Sequence, residues 1–521
     1  MLRTERVEKA VRLNREELFR FGTALLFIVG IMLVAMARSE GGTDGVLLIV
    51  AAMIGGYMAM NIGANDVANN VGPAVGSQAI TLTGAILIAA FFEAGGAMIA
   101  GGDVVGTIKK GIIDPDLVAD RDTFIWLMTA ALLAAAVWLN FATAVGAPVS
   151  TTHSIVGGVL GAGIAAAGWS IADWYQVGMI AASWIISPVL GGVIAATFLY
   201  IIKRTITYKS DVLTAANQMV PLLVAVMAWA FGTYLMLKGV KKLVKVDFPT
   251  ALVIGLLLAI VVYFLIRPYV ANTTKRLENK KSSVNDLFTV PLIFAAALLS
   301  FAHGANDVAN AVGPLAGINE AIAAGAVATK ASIPIWVMAV GAIGISLGLA
   351  LYGPKLIRTV GSEITELDKM RAYCIAMAAA ITVIVASQLG LPVSSTHIAV
   401  GGVFGVGFLR EYIKSSYARM LDEIREHHAD HDPEAVEAFL ERFEAADVTT
   451  KGEILRDMKA QASSDRVLAK KERKALGRVH RIELVKRTLL LRIAAAWVIT
   501  VPLAATLASM FFFMIRGMLL P

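Results

Sequence analysis

Cysteine is all but missing: Cys374 is the one cysteine among 521 residues. That excludes a disulfide framework and any metal centre built from several thiolates. Charge is scarce as well, with 16% Asp, Glu, Lys and Arg against about 25% in soluble domains. A soluble globular protein is therefore excluded. What the chain has instead is 57% hydrophobic residues, 46 glycines and a mean hydropathy of +0.71, gathered in apolar runs near the roughly 20 residues that a bilayer requires. The formal net charge of +7 does not indicate a nucleic-acid partner. Lys and Arg sit at the ends of apolar runs and in one polar stretch, which is the pattern of positive-inside anchoring.

The segment Met1 to Arg20 mixes six basic residues with acids, unlike the short cationic start of a cleaved signal peptide. It reads as cytoplasmic and amphipathic. Beyond it, thirteen apolar runs follow, among them 21–37, 45–62, 150–168, 288–303, 322–352, 394–410 and 488–515. With the N-terminus inside, alternation places three basic regions in the cytoplasm: the Lys203, Arg204, Lys209 loop, the Lys275, Arg276, Lys280, Lys281 loop, and Arg410 to Arg487. The loop with Lys238, Lys241, Lys242 and Lys245 is left outside, against the rule. The expected fold is an all-α polytopic membrane protein of about 12–13 transmembrane helices. The expected divisions are 1–20 cytoplasmic, 21–44 an additional span and loop, 45–203 a first repeat, 204–287 connecting spans, 288–411 a second repeat, 412–487 a cytoplasmic helical insert and 488–521 a last span. His427, His428 and His431 in that insert could bind a metal, but they read better as a short solvated cluster without a closed ligand set.

G-A-N-D-V-A-N-N-V-G-P-A at Gly63 to Ala74 recurs as G-A-N-D-V-A-N-A-V-G-P-L at Gly304 to Leu315. A-P-V-S-T-T-H-S-I-V-G-G from Ala147 to Gly158 recurs as L-P-V-S-S-T-H-I-A-V-G-G from Leu391 to Gly402. The halves are homologous units. By the expected topology the span before Gly63 runs outside to inside and the one before Gly304 inside to outside, so the repeats are inverted. Such repeats place substrate and ion sites near the bilayer midplane, at discontinuous helices.

An ionised Asp inside the hydrocarbon costs about 2.5 to 3.5 kcal/mol on insertion scales, so Asp66 and Asp307 must face a cavity, a cation or a partner. Asn65, Asn69, Asn306 and Asn310 add amide oxygens beside them, and the Gly and Pro of each motif favour helix breaks whose freed carbonyls can ligate ions. Oxygen-only ligands suit a hard cation such as sodium. Ser150, Thr151 and Thr152, and likewise Ser394, Ser395 and Thr396, follow a proline and open an apolar helix. Free N–H groups, the positive end of the helix dipole and neighbouring hydroxyls together suit a tetrahedral oxyanion. His153 and His397 can donate to an anion, shuttle protons, or be held by a backbone carbonyl. Glu93 is a sodium or proton ligand, or pairs with a neighbouring helix. Lys109, Lys110, Lys355 and Arg358 read as interfacial anchors.

These duplicated, ordered motifs resemble the inorganic phosphate transporter (PiT) family of cation-coupled symporters, from about Val46 to Gly407 plus the last span. The resemblance implies phosphate bound at Ser150, Thr151, Thr152, Ser394, Ser395, Thr396, Asp66 and Asp307. Sodium would sit at Asn65, Asp66, Asn69, Asn306, Asp307 and Asn310. The function it implies is sodium-coupled phosphate symport across the cytoplasmic membrane by alternating access, with a homo-oligomer left open and no nucleic-acid partner. Proton-coupled carriers of metal–phosphate complexes and sulfate carriers belong to the same family. A passive anion channel would use the same helix ends. An enzyme would need Ser150 and His153 as nucleophile and base, and the sequence offers no orienting acid.

Overall fold

In the computed structural model the described residues are 2–145, 149–239, 246–326, 333–363, 367–428 and 487–519. The insert that carries His431 falls outside them, as do Lys241, Lys242 and Lys245. The side chains of His427, His428, Lys110, Lys355 and Arg358 are likewise outside the description. The described chain is almost entirely helical: α1 (Leu2–Met36), α2 (Gly42–Asn65), α3 (Val67–Gly76), α4 (Leu82–Ala100), α5 (Gly102–Lys110), α6 (Arg121–Ala144), α7 (Thr151–Ala167), α8 (Trp174–Ile202), α9 (Val212–Lys238), α10 (Phe248–Thr274), α11 (Lys281–Leu287), α12 (Thr289–Asp307), α13 (Ala309–Ala324), α14 (Ile335–Glu363), α15 (Lys369–Gln388), α16 (Ser395–His428) and α17 (Arg487–Leu519).

Eleven helices among the described residues are long and apolar enough to cross a membrane. The difference from thirteen runs has a physical origin. The run at 150–168 is a shorter apolar helix, Thr151–Ala167, and the run at 394–410 opens the longer α16. The runs at 45–62 and 288–303 each continue past an Asp into a second helix, giving the stretches Gly42–Gly76 and Thr289–Ala324. The expected 322–352 run consequently starts only at Ile335. The 1–20 segment and the 21–37 run are one helix, α1. Burial orders the helices from centre to rim: 89% of the most apolar window in Thr289–Ala324 is buried, against 17% in Phe248–Thr274. The broken pair α12–α13 is thus core, and α10 presents an apolar flank to lipid.

The packing is exchanged between the halves. α2 lies along α14 and its sequence counterpart α12 lies along α4, while α7 packs on α17 and α16 packs on α8. Glycine permits the first of these contacts. A Cβ on Gly63 would sit 1.9 Å from Ile345 O, and one on Gly304 would sit 2.2 Å from Glu93 O. Because Gly63 and Gly304 are counterparts, Ile345 and Glu93 occupy matching places on α14 and α4.

Lys109, expected as an interfacial anchor, and Lys238, expected in an outside loop, are interior instead. Lys109, in the last turn of α5, is buried and paired with Glu320 of α13. Lys238, in the last turn of α9, is buried, paired with Asp103, and donates to Ser387 O at 3.2 Å. A charge at the end of an apolar run looks the same in sequence whether it reaches for water or for a carboxylate. Lys238 is therefore not a loop charge, and its conflict with the positive-inside rule disappears.

Candidate functional site

Both long broken helices break at their Asp. Asp66 stands between α2 and α3, and Asp307 ends α12 with only Val308 between it and the start of α13. Both carboxylates are buried, with Asn65, Asn69, Asn306 and Asn310 buried beside them. The starts of α7 and α16 meet the breaks. Ser150 and Ser394 cap those helices, their hydroxyl oxygens accepting from His153 N at 3.1 Å and from His397 N at 3.3 Å. The next hydroxyls then turn to the acids. Thr151 Oγ1 donates to Asp66 Oδ2 at 2.5 Å and lies 3.4 Å from Asp307 Oδ2, so one threonine bridges the two halves. Thr396 Oγ1 donates to Asp66 Oδ1 at 3.1 Å.

The asparagines fix these hydroxyls from the other side. Asn69 Nδ2 donates to Thr396 Oγ1 at 2.8 Å, and its counterpart Asn310 donates to Thr151 Oγ1 at 3.1 Å and Thr152 Oγ1 at 3.2 Å. Each motif therefore holds the helix start of the opposite half or of both. Asn306 Nδ2 donates to Ser387 Oγ at 3.0 Å and Leu391 O at 3.2 Å, and its Oδ1 accepts from Val393 N at 3.3 Å. With its amide oriented to satisfy both ends, Asn65 matches this. Nδ2 donates to Val149 O at 3.1 Å and Asp66 Oδ1 at 3.2 Å while Oδ1 accepts from Thr143 Oγ1 at 3.0 Å. Among the described residues Ser395 Oγ, Asp307 Oδ1 and Asn310 Oδ1 are buried and make no hydrogen bond.

Glu93 reaches the same cluster from α4, through a residue that the sequence reading missed. His303 Nδ1 lies 2.7 Å from Glu93 Oε2, and His303 Nε2 lies 3.1 Å from Asp307 Oδ2. Asn70 Nδ2 donates to Glu93 Oε1 at 2.8 Å. Of the alternatives for Glu93, pairing with a neighbouring helix is what the geometry shows. The available signal for His303 was its spacing: four residues before Asp307 puts both on one helix face. The motif match hid it, since its counterpart is Ile62.

His153 and His397 turn away from the carboxylates. The His153 ring packs at a tilt against Trp184 with centroids 3.8 Å apart and meets His397 edge-on at 4.4 Å, and His397 stacks on Trp497 at 3.5 Å. His153 Nδ1 is 3.4 Å from Trp497 O. Ser150 and His153 thus meet through a backbone N–H at the helix cap, not as hydroxyl and imidazole, and they form no nucleophile–base pair.

The arrangement is a buried acidic centre at which two helix starts converge. Two positive helix ends and the unpaired Ser395 hydroxyl favour an oxyanion, and the buried carboxylates favour positive charge alongside it. Residues 62–508 match the profile of the Phosphate transporter family. A Helicobacter pylori (strain J99) protein named "Putative phosphate permease" is 53% identical over 514 residues, covering 97% of this chain and 96% of its own. A protein of the same name from Chlamydia pneumoniae is 41% identical over 388 residues, covering 70% of this chain and 90% of its own. A solved structure described as "The sodium-dependent phosphate transporter" superimposes with a TM-score of 0.73 at 31% identity, over 91% of this chain and 100% of that one. With the duplicated motifs folded into one buried centre and the family profile matched across both of them, the chain belongs to the phosphate transporter family.

Proposed function

We propose that the protein is a secondary transporter that carries inorganic phosphate across the cytoplasmic membrane together with sodium, by alternating access between two inverted halves with the N-terminus inside. The observation that carries this reading is the bridge from Thr151 at the start of α7 to Asp66, at 2.5 Å, with Asp307 Oδ2 3.4 Å away. It ties an anion-favouring helix end to a cation-requiring pair of acids. A channel would not need buried carboxylates from both halves beside the anion. In this reading the hydroxyls of Ser150, Thr151, Thr152, Ser394, Ser395 and Thr396 and the adjoining N–H groups hold phosphate. Sodium is held by Asp66, Asp307 and the asparagine oxygens. The solved structure described as sodium-dependent supports the choice of ion.

Labelled phosphate uptake into proteoliposomes, with and without an inward sodium gradient, is the direct test. Concentrative uptake that needs the gradient is expected; uptake that only equilibrates, with no response to sodium, would indicate a channel. Sulfate in excess should displace phosphate poorly. Near neutral pH phosphate retains a proton that it can donate to a carboxylate, whereas sulfate only accepts and would meet Asp66 or Asp307 with an unpaired contact. Competition by sulfate as effective as that by unlabelled phosphate would overturn the selectivity.

Ser395→Ala isolates the anion cradle, because Ser395 Oγ has no hydrogen bond within the protein to lose. A charge-assisted hydrogen bond to phosphate contributes about 1.5 to 3 kcal/mol. The apparent KM should therefore rise about ten- to hundred-fold with the melting temperature unchanged. An unaltered KM would remove Ser395 from the cradle.

A further inference from the structure

The chain between α15 and α16 is irregular backbone inside the helical body, where carbonyls cannot be left without donors. Gly390, at φ +67°, turns it, and Pro392 and Val393 are buried. Four consecutive carbonyls are then met by four side chains from four different helices. Thr107 Oγ1 of α5 donates to Gly390 O at 2.7 Å, and Asn306 Nδ2 of α12 donates to Leu391 O at 3.2 Å. Trp184 Nε1 of α8 donates to Pro392 O at 3.2 Å, and Thr152 Oγ1 of α7 donates to Val393 O at 3.0 Å. Three of these donors lie in the first half of the chain, so the loop of one half is held chiefly by the other.

The loop matters for what it carries. Val393 precedes Ser394, the cap of α16, and Ser395 and Thr396 follow at once. Ser395 Oγ is buried without a hydrogen bond of its own, so only the backbone that bears it fixes where it can reach. That backbone is set by the loop. With each of four carbonyls in a row held in turn, the loop cannot slide towards or away from the centre without breaking a bond. Thr152 and Asn306 already belong to that centre. Thr107 and Trp184 lie outside the residues assigned to phosphate or sodium, and the single N–H of the Trp184 ring is spent on Pro392 O.

We propose that Thr107 and Trp184 are positioning residues of the phosphate site: by fixing Gly390 O and Pro392 O they aim the N–H groups and the Ser395 hydroxyl of the α16 start at the bound anion. The effect on phosphate rests on the transport reading, whereas the clamp itself stands on the four bonds. Donors fixed in advance need no ordering when the ligand arrives, so a loosened loop weakens binding. An interaction lost equally before and during the transport step raises KM and leaves kcat alone.

Thr107→Val replaces the hydroxyl by a methyl group of similar shape, and Trp184→Phe removes the N–H while keeping a ring against His153. Each should raise the phosphate KM of sodium-driven uptake about 3- to 10-fold, the contribution of one hydrogen bond between neutral groups, with kcat unchanged. Thr107→Ser keeps the donor and should restore the wild-type KM. Thr197→Val is the control, because its hydroxyl bonds to Val193 O on an exposed part of α8, and it should leave KM where it was. Amide hydrogen–deuterium exchange of the purified full-length chain reads the loop without phosphate. Exchange over 389–397 should quicken in Thr107→Val and Trp184→Phe, and in neither Thr107→Ser nor Thr197→Val. Unchanged exchange in Thr107→Val and Trp184→Phe overturns the clamp, whatever the substrate. Quicker exchange with an unchanged KM, or a raised KM that Thr107→Ser does not restore, overturns the positioning role. Should Trp184→Phe fail to fold, the Thr107 variants decide. A wild-type protein without sodium-driven phosphate uptake would overturn the transport reading and the phosphate role with it, while exchange still decides whether the loop is held, so the two failures are separable.

Discussion

Asp66→Asn should reduce sodium-driven phosphate uptake by about 100-fold or more. Asp66 accepts from Thr151 of α7 and from Thr396 of α16, so its carboxylate joins both helix starts as well as supplying charge. The amide replaces one acceptor oxygen by a donor and removes the negative charge that would hold a cation. Two charge-assisted hydrogen bonds weakened at about 1.5 kcal/mol or more each already correspond to about two powers of ten. Asp307→Asn should depress uptake comparably while costing less stability, because Asp307 Oδ1 makes no hydrogen bond and only the approach to His303 and Thr151 is altered. Uptake in proteoliposomes over a series of sodium concentrations, alongside melting of the purified protein, separates the two effects. Wild-type uptake with an unchanged sodium dependence in either variant would remove that residue from the coupling site.

What could be read from the sequence is what lies close together in it. The two Asp motifs and the two Ser/Thr starts are each contiguous, and duplication set them apart from the surrounding apolar chain. Ser150 and Ser394 cap helices in the structure as hydroxyls before an apolar run should. Their convergence on Asp66 and Asp307 is a tertiary fact, yet duplication made it a reasonable expectation. Glu93 and His303 lie 210 residues apart, and neither has a polar counterpart in the other half. No repeat could announce their contact. The inward-turned Lys109 and Lys238 were missed for a related reason: hydropathy registers the end of an apolar run, whereas burial depends on whether Glu320 or Asp103 waits on another helix. Span counting erred where a helix breaks at an Asp and resumes, because the apolar pattern after the break reads as a fresh crossing or as loop.

Gly304→Ala should be among the most disruptive single-methyl changes in the chain, and it tests the contact on which the Glu93–His303 pair depends. The added Cβ would stand 2.2 Å from Glu93 O and 2.8 Å from Glu93 Cα. No rotamer relieves a clash with backbone, so α4 and α12 must part. Overpacking a well-filled interior costs typically about 1 to 3 kcal/mol, and more where backbone is displaced. A clear drop in melting temperature is therefore expected, with uptake lost as Glu93 is drawn from His303. Gly63→Ala, facing Ile345 O at 1.9 Å, should destabilise α2 against α14 to a similar degree without touching that pair. Gly106→Ala is the control: nothing lies within 4 Å of its Cβ position, and alanine favours a helix interior by about 1 kcal/mol, so α5 should be unharmed or slightly steadier. If Gly304→Ala melts with Gly106→Ala and transports normally, α4 and α12 are not in backbone contact at this point, and Glu93 loses its structural route to the carboxylate centre.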